Sequence, residues 1–116
     1  MYYSSHHHQE LFLLKRTGQS DIDSLIYLMT SDLLRKYYYL VFDEERHELL
    51  DFPTDKLSST EKNMIQLAKH LYNSSNKCPK ISDLITPADE INREVIASAI
   101  YYYANAYKLK EADLVW

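Results

Sequence analysis

The sequence predicts an all-α fold, a compact bundle of four to five helices in one domain spanning residues 1–116, and three observations carry that prediction. Only one of the 116 residues is glycine, too few for a series of tight hairpin turns, which draw on glycine and asparagine. Apolar residues recur at three- and four-residue spacing along most of the chain, the period of a helix that buries one side. Ser, Thr or Asp stands just before these stretches, where a side-chain oxygen can satisfy the free N–H groups of a first turn. A chain of 116 residues also falls within the usual single-domain range of roughly 100–150. It can bury a core without staples, which become necessary only below about 40 residues.

The first helix is predicted over Ser5 to Arg16, capped by Ser4 or Ser5, with Leu11, Phe12, Leu14 and His8 on its inner side. Thr17-Gly18-Gln19 ends it, and Gly18 suits a left-handed position there. The second runs from Asp21 to Met29 behind Ser20 as cap. Asp21 and Asp23 lie near the positive end of its dipole, and Ile22, Leu25, Ile26 and Met29 form one apolar stripe. Thr30-Ser31-Asp32 reads as a further capping signal that starts a third helix, Asp32 to Phe42. A short hairpin near 38–52 competes with it, because Tyr37 to Phe42 is aromatic and β-prone and Leu49, Leu50 and Phe52 follow. The connector has no Gly or Asn, which favours the helix.

Pro53 to Leu57 is a linker. Ser58 and Glu61 then have capping-box spacing and open a fourth helix that carries Met64, Ile65, Leu67, Ala68, Leu71 and Tyr72 up to Asn73. Ile81 to Ile85 forms one helical turn. Thr86 as cap and Pro87 as first helical residue start the longest helix. Its inner stripe is Ile91, Val95, Ile96, Ala99, Ile100 and Tyr103, and it fades near Lys108.

The net charge is -4 and unevenly spread. Residues 1–58 hold ten acids against six bases, and residues 59–116 hold seven of each. No broad basic surface follows, so a direct nucleic-acid partner is not expected, although a local basic patch has room to exist. The single glycine excludes a phosphate-binding loop or dinucleotide fingerprint. The lone Cys78 fits a reducing compartment. No secretory signal pattern opens the chain, and the longest apolar or aromatic run, Tyr37 to Phe42, is far short of the ~20 residues of a membrane span. The expectation is a cytoplasmic protein with no membrane partner.

No constellation assembles a catalytic or metal centre, so no enzyme, cofactor or metal is expected. His6-His7-His8 point in three directions about 100° apart on a helix, and one of them is expected to pack inward. Glu44 and His47 have the Glu-x-x-His spacing of di-iron bundles, but no second pair matches them. His70 and Cys78 lack a third, orienting group. Glu61 to Ala104 fits a helix-turn-helix template, with a reading helix from Asp89. Its first turns hold Asp89, Glu90 and Glu94 beside Arg93, and three acids face phosphates badly.

Two features point instead to a protein partner. Asp43, Glu44, Glu45, Glu48, Asp51 and Asp55 form an acidic stretch interrupted by one base, Arg46, suited to steer onto a basic surface. Tyr37-Tyr38-Tyr39 and Tyr101-Tyr102-Tyr103 each fan over about 200° of a helix, so part of each triplet faces outward. Exposed tyrosine is favoured at interfaces. The candidate partner-binding residues are Tyr37, Tyr39, Asp43, Glu44, Glu45, Glu48, Asp51, Tyr101 and Tyr102, and homodimerisation through a tyrosine face is a further expectation.

Asp32-Leu33-Leu34-Arg35-Lys36-Tyr37 followed by Leu40 to Asp43, the stretch Leu67-Ala68-Lys69-His70-Leu71-Tyr72-Asn73 and the opening Ser4-x-His6 together resemble a family of small helical proteins, a domain of unknown function, from phages and mobile elements of Gram-positive bacteria. The resemblance implies no catalytic residues but does imply a mobile-element setting. With small size and acidity it leads to the expectation of a non-enzymatic inhibitor of a host defence nucleoprotein, of the anti-CRISPR kind, acting by steric block. The alternative is a helix-turn-helix DNA-binding regulator.

Overall fold

The second helix is the axis of the structure. The computed structural model describes the backbone of residues 1–115 and the side chains of residues 1–105. Helix α1 (His6–Lys15) leads into α2 (Ser20–Met29), which packs against α1, α4 (Ser59–Tyr72) and α6 (Glu90–Val115). Every residue of α2 from Ile22 to Met29 is buried. The sequence suggested one apolar stripe, but a helix covered on all sides needs no polar face. Ser24 Oγ donates to the Ser20 carbonyl, and just past the helix Thr30 Oγ1 and Ser31 Oγ donate back to the carbonyls of Ile26 and Leu28.

Those last two bonds explain one correction. Thr30 and Ser31 close α2 rather than cap a following helix, since their hydroxyls serve its terminal carbonyls. No continuous helix therefore runs from Asp32 to Phe42. The chain makes a turn, a 3₁₀ segment over Arg35–Tyr37 and the four-residue α3 (Tyr38–Val41). It then enters an antiparallel hairpin, β1 (Phe42–Asp43) and β2 (Glu48–Leu49), in register Phe42↔Leu49 and Asp43↔Glu48. The fold is thus mostly helical with a small two-stranded element.

The hairpin manages without glycine because His47 takes the left-handed conformation (φ 53°), which His tolerates better than most residues. Asp43 Oδ1 accepts from the amides of Glu45 (3.0 Å) and Arg46 (3.1 Å) and shapes the turn. His47 also stacks on Phe42, with ring centroids 6.2 Å apart and planes at 14°.

The locally encoded ends form as the sequence implies. Ser5 Oγ accepts from the His8 amide and caps α1, Gly18 adopts φ 90°, and the Ser58–Glu61 capping box closes in both directions. Helix α5 (Ile81–Ile85) is the single turn expected. Ser20, however, lies within α2 and no side chain caps that helix. Asp89, not Thr86, caps α6, accepting from the Asn92 amide at 2.9 Å, and α6 continues past Lys108 to Val115. Leu14, Ile91 and Ile100, read as core, are exposed. The core itself joins Phe12, the apolar residues of α2, Leu34, Val41, Phe42, the inner face of α4 and Val95, Ile96 and Ala99 of α6.

Two buried polar groups tie α1 to α2, one at the corner between them and one at the far end of the pair. Asp23, near the start of α2, accepts from the Thr17 amide (2.7 Å), Thr17 Oγ1 (3.0 Å) and the Gly18 amide (2.9 Å). His8, as expected for one of the three histidines, packs inward and is fully buried. Its Nδ1 accepts from the Ser4 amide at 2.9 Å, and its Nε2 lies 2.7 Å from the Tyr27 carbonyl. An amide can only donate and a carbonyl can only accept, so the ring is the neutral tautomer with its proton on Nε2. Burial, opposed by the Tyr27 bond and the Asp32 carboxylate, holds its pKa below the ordinary value, with Arg35 adding to the lowering.

Candidate functional site

Successive residues of a helix turn through 100°, and α3 uses that turn to send Tyr38 inward and Tyr39 outward. Tyr38 is buried, whereas Tyr39 is 63% exposed. The exposed ring is nevertheless fixed. Its hydroxyl accepts from Lys15 Nζ at 2.7 Å, and its ring meets Tyr38 edge-on at 5.0 Å. Lys15 also reaches the Glu44 carboxylate (3.1 and 3.2 Å) and lies over both tyrosine rings, 4.9 and 5.0 Å from their centroids. Tyr38 completes the knot by donating to Glu44 Oε2 at 3.0 Å.

The charges in the knot reinforce one another. Burial would raise the Glu44 carboxyl pKa, but hydrogen bonds from Lys15 and Tyr38 outweigh it and hold the group below its ordinary value. Burial would lower the Lys15 ammonium pKa, but Tyr39 and Glu44 raise it. Burial and the adjacent Glu44 charge push the Tyr38 phenol upward.

Tyr39 forms the common wall of two clefts. One, of about 380 Å³, is lined by Leu11, Leu14 and Tyr38, with Thr30 and Arg35 at its polar side. The other, of about 300 Å³, runs between Phe42, Leu50, Glu44 and Glu45. Leu14 is 78% exposed, and Leu40 and Leu50 are also open to solvent. Tyr39 thus stands between a mainly apolar groove on the α1 side and a mixed groove of Phe42, Leu50 and three acids on the hairpin side.

The predicted acids divide into two groups. Glu44 and Asp43 are structural, one in the lysine knot and the other in the turn. Glu45, Glu48 and Asp51 are exposed and form no ion pair among the described residues. Glu48 stands directly opposite Asp43 across the hairpin, and like charges so placed repel. Glu48→Lys is therefore expected to stabilise the free protein by about 0.2–1 kcal/mol, seen as a higher urea midpoint.

The other predicted residues do not join this surface. Tyr37 is half-buried against Phe52 and donates to Glu61 Oε2 at 2.7 Å. Tyr102 is half-buried and meets Phe12 edge-on at 6.1 Å. Tyr101 is 70% exposed on α6 but lines neither cleft. Sequence reasoning missed Lys15, Leu14 and Leu50. Pairing His8 with Phe12, four residues apart, as the inner face of α1 would have left Leu14 outside and put Lys15, seven residues after His8, at the end of that same face.

The remaining chemical candidates are engaged separately. Glu44 is held by Lys15 while His47 stacks on Phe42. His70 Nδ1 bonds the Asn76 carbonyl, and Cys78 is exposed. Among the described residues no group of three His, Cys, Asp or Glu side chains could hold a metal ion. Among the described residues no helix is long and apolar enough to cross a membrane. No family model, curated protein or solved structure matches this chain.

Proposed function

We propose that this chain is a non-enzymatic protein-binding module that captures a basic partner on the Tyr39 surface. The observation that carries the reading is Tyr39 itself, exposed yet held by Lys15 and Tyr38 between an apolar cleft and an acidic one. A ring already held in place loses little freedom on binding, which favours affinity, and tyrosine is among the side chains that dominate interface energy. Glu45, Glu48 and Asp51 beside it suit a partner that presents lysine or arginine.

The finer reading follows the resemblance. The partner is a host defence nucleoprotein, and this protein, acting from a phage or mobile element in the cytoplasm, blocks its nucleic-acid channel sterically. The helix-turn-helix alternative gains no support from the geometry, because Arg93 donates to the carbonyls of Ile85 (2.9 Å) and Thr86 (3.4 Å).

The test is capture from the cytosol of a Gram-positive host with wild-type protein and with Tyr39→Ala. The expected result is a defence nuclease that is retained by wild type, is inhibited stoichiometrically and binds Tyr39→Ala about 30-fold more weakly, the loss of a hot-spot residue worth about 2 kcal/mol. Glu48→Lys should weaken the same complex while stabilising the free protein. Identical capture by wild type and Tyr39→Ala would remove the surface from consideration. Self-association alone, seen by light scattering and abolished in Tyr39→Ala, would assign the surface to a homodimer instead.

A further inference from the structure

Beside α4 lies a cleft of about 310 Å³ that shares no lining residue with the Tyr39 surface. It gathers three lysines. Lys62, Gln66 and Lys69 fall at i, i+4 and i+7 on one face of α4, which sets the outer two about 10 Å apart along the axis. The following loop brings in Lys77. Asn76 Nδ2 donates to the carbonyls of Lys69 (3.2 Å) and Asn73 (3.1 Å), and His70 Nδ1 donates to the Asn76 carbonyl at 2.7 Å. These bonds fold the loop back over the last turn of α4, beside the buried Ile65.

The electrostatics of this cleft are unusual for a chain of net charge -4. No carboxylate lines it, and none of the three ammonium groups forms an ion pair among the described residues. Like charges gathered without a counter-charge repel one another, and an anion relieves that repulsion. The ammonium group is a point-charge donor well suited to phosphate. Several such groups spread along a helix match a row of phosphates better than a single one. The volume lies at the lower end of the roughly 300–1,000 Å³ of small-ligand sites. No aromatic side chain lines it, so no base can stack there.

We infer that the Lys62–Lys69–Lys77 cleft binds a compact oligophosphate, recognised through its phosphates alone. The same chemistry is offered by the tail of a nucleoside triphosphate and by a short run of nucleic-acid backbone. Titration calorimetry in 20 mM salt with inorganic phosphate, tripolyphosphate, ATP and a thymidine oligonucleotide tests the inference. Tripolyphosphate is expected to bind at least about tenfold more tightly than phosphate and to weaken steeply as salt rises. Lys62→Gln/Lys69→Gln should reduce its binding about tenfold or more, while Lys80→Gln, exposed and outside the cleft, should leave it unchanged.

ATP binding equal to tripolyphosphate points to a nucleotide tail, and tighter binding of the oligonucleotide points to the backbone. Both outcomes support the cleft as a phosphate site. Glutamine is a good helix former, so the double variant should keep the wild-type melting temperature. If it does not, Lys77→Gln in the loop carries the test, with a loss of about threefold or more. Tripolyphosphate binding no tighter than phosphate, or loss shared equally by Lys80→Gln, would overturn the inference. Neither result bears on the Tyr39 surface.

Discussion

Asp23→Ala is expected to destabilise the protein by about 3 kcal/mol, because three hydrogen bonds that converge on one buried carboxyl group are lost together. The Asp23 carboxylate receives two amides and a hydroxyl from Thr17 and Gly18, at 2.7–3.0 Å. Removing it takes the side-chain acceptor away from both N–H groups at the α1–α2 corner. For a domain of this size the loss corresponds to a melting temperature lower by about 10–15 °C. Asp23→Asn should fall between, since an amide can accept at one oxygen while its NH₂ faces a donor. Asp21→Ala is the control. Asp21 shares the dipole advantage but among the described residues accepts only from the next amide, Ile22, so a few tenths of a kcal/mol are expected. Equal losses for the two variants in thermal melts would show that the corner does not depend on the buried carboxylate.

The second large effect is acid sensitivity at His8. In the folded protein its Nδ1 lone pair accepts the Ser4 amide, so a proton at that nitrogen would face an N–H directly. Its surroundings include Asp32, which favours the proton, Arg35, which opposes it, and the rings of Tyr3 and Tyr27. The Tyr27 phenol is itself pushed up to about 12 by burial and stays neutral throughout. A native pKa below the unfolded value near 6.5 means that the unfolded chain binds the extra proton first. The stabilisation is therefore complete above about pH 6.5 and is lost as pH falls toward the lowered native pKa, by up to about 1.4 kcal/mol per pH unit.

Urea melts at intervals from pH 8 to 5 should show this slope. His8→Gln, which cannot titrate, should be less stable at pH 8 and lose that part of the slope. The Ser4 amide should lose protection from hydrogen exchange in step. An unchanged slope in His8→Gln would assign the acid sensitivity to other groups.

These two residues also show where the sequence was legible. Ser5, Gly18 and the Ser58–Glu61 pair act within a few residues of themselves, and their roles follow from spacing alone. The inward place of His8 follows from its position on the side of α1 that carries Leu11 and Phe12. Its bond to Tyr27, 19 residues away, leaves no trace in local pattern. Asp23 looked like Asp21, and only the return of the chain at Gly18 distinguishes them. Thr30 and Ser31 carry a capping signal that can be satisfied from either side, and the buried end of α2 claimed it. The acidic hairpin and Tyr39 were visible as composition. Which acids remain free was decided by Lys15, 29 residues before Glu44.

The all-round burial of α2 has a consequence for biosynthesis. Ile22 to Met29 is made well before the helices that cover it, about 30 residues ahead of α4 and about 60 ahead of α6. Until those helices emerge, the nascent chain carries an unshielded greasy rod that α1 alone cannot hide. Productive collapse must wait for partners distant in sequence, and such long-range docking is slower than local helix pairing. This segment is where a translating ribosome would most need a chaperone's cover.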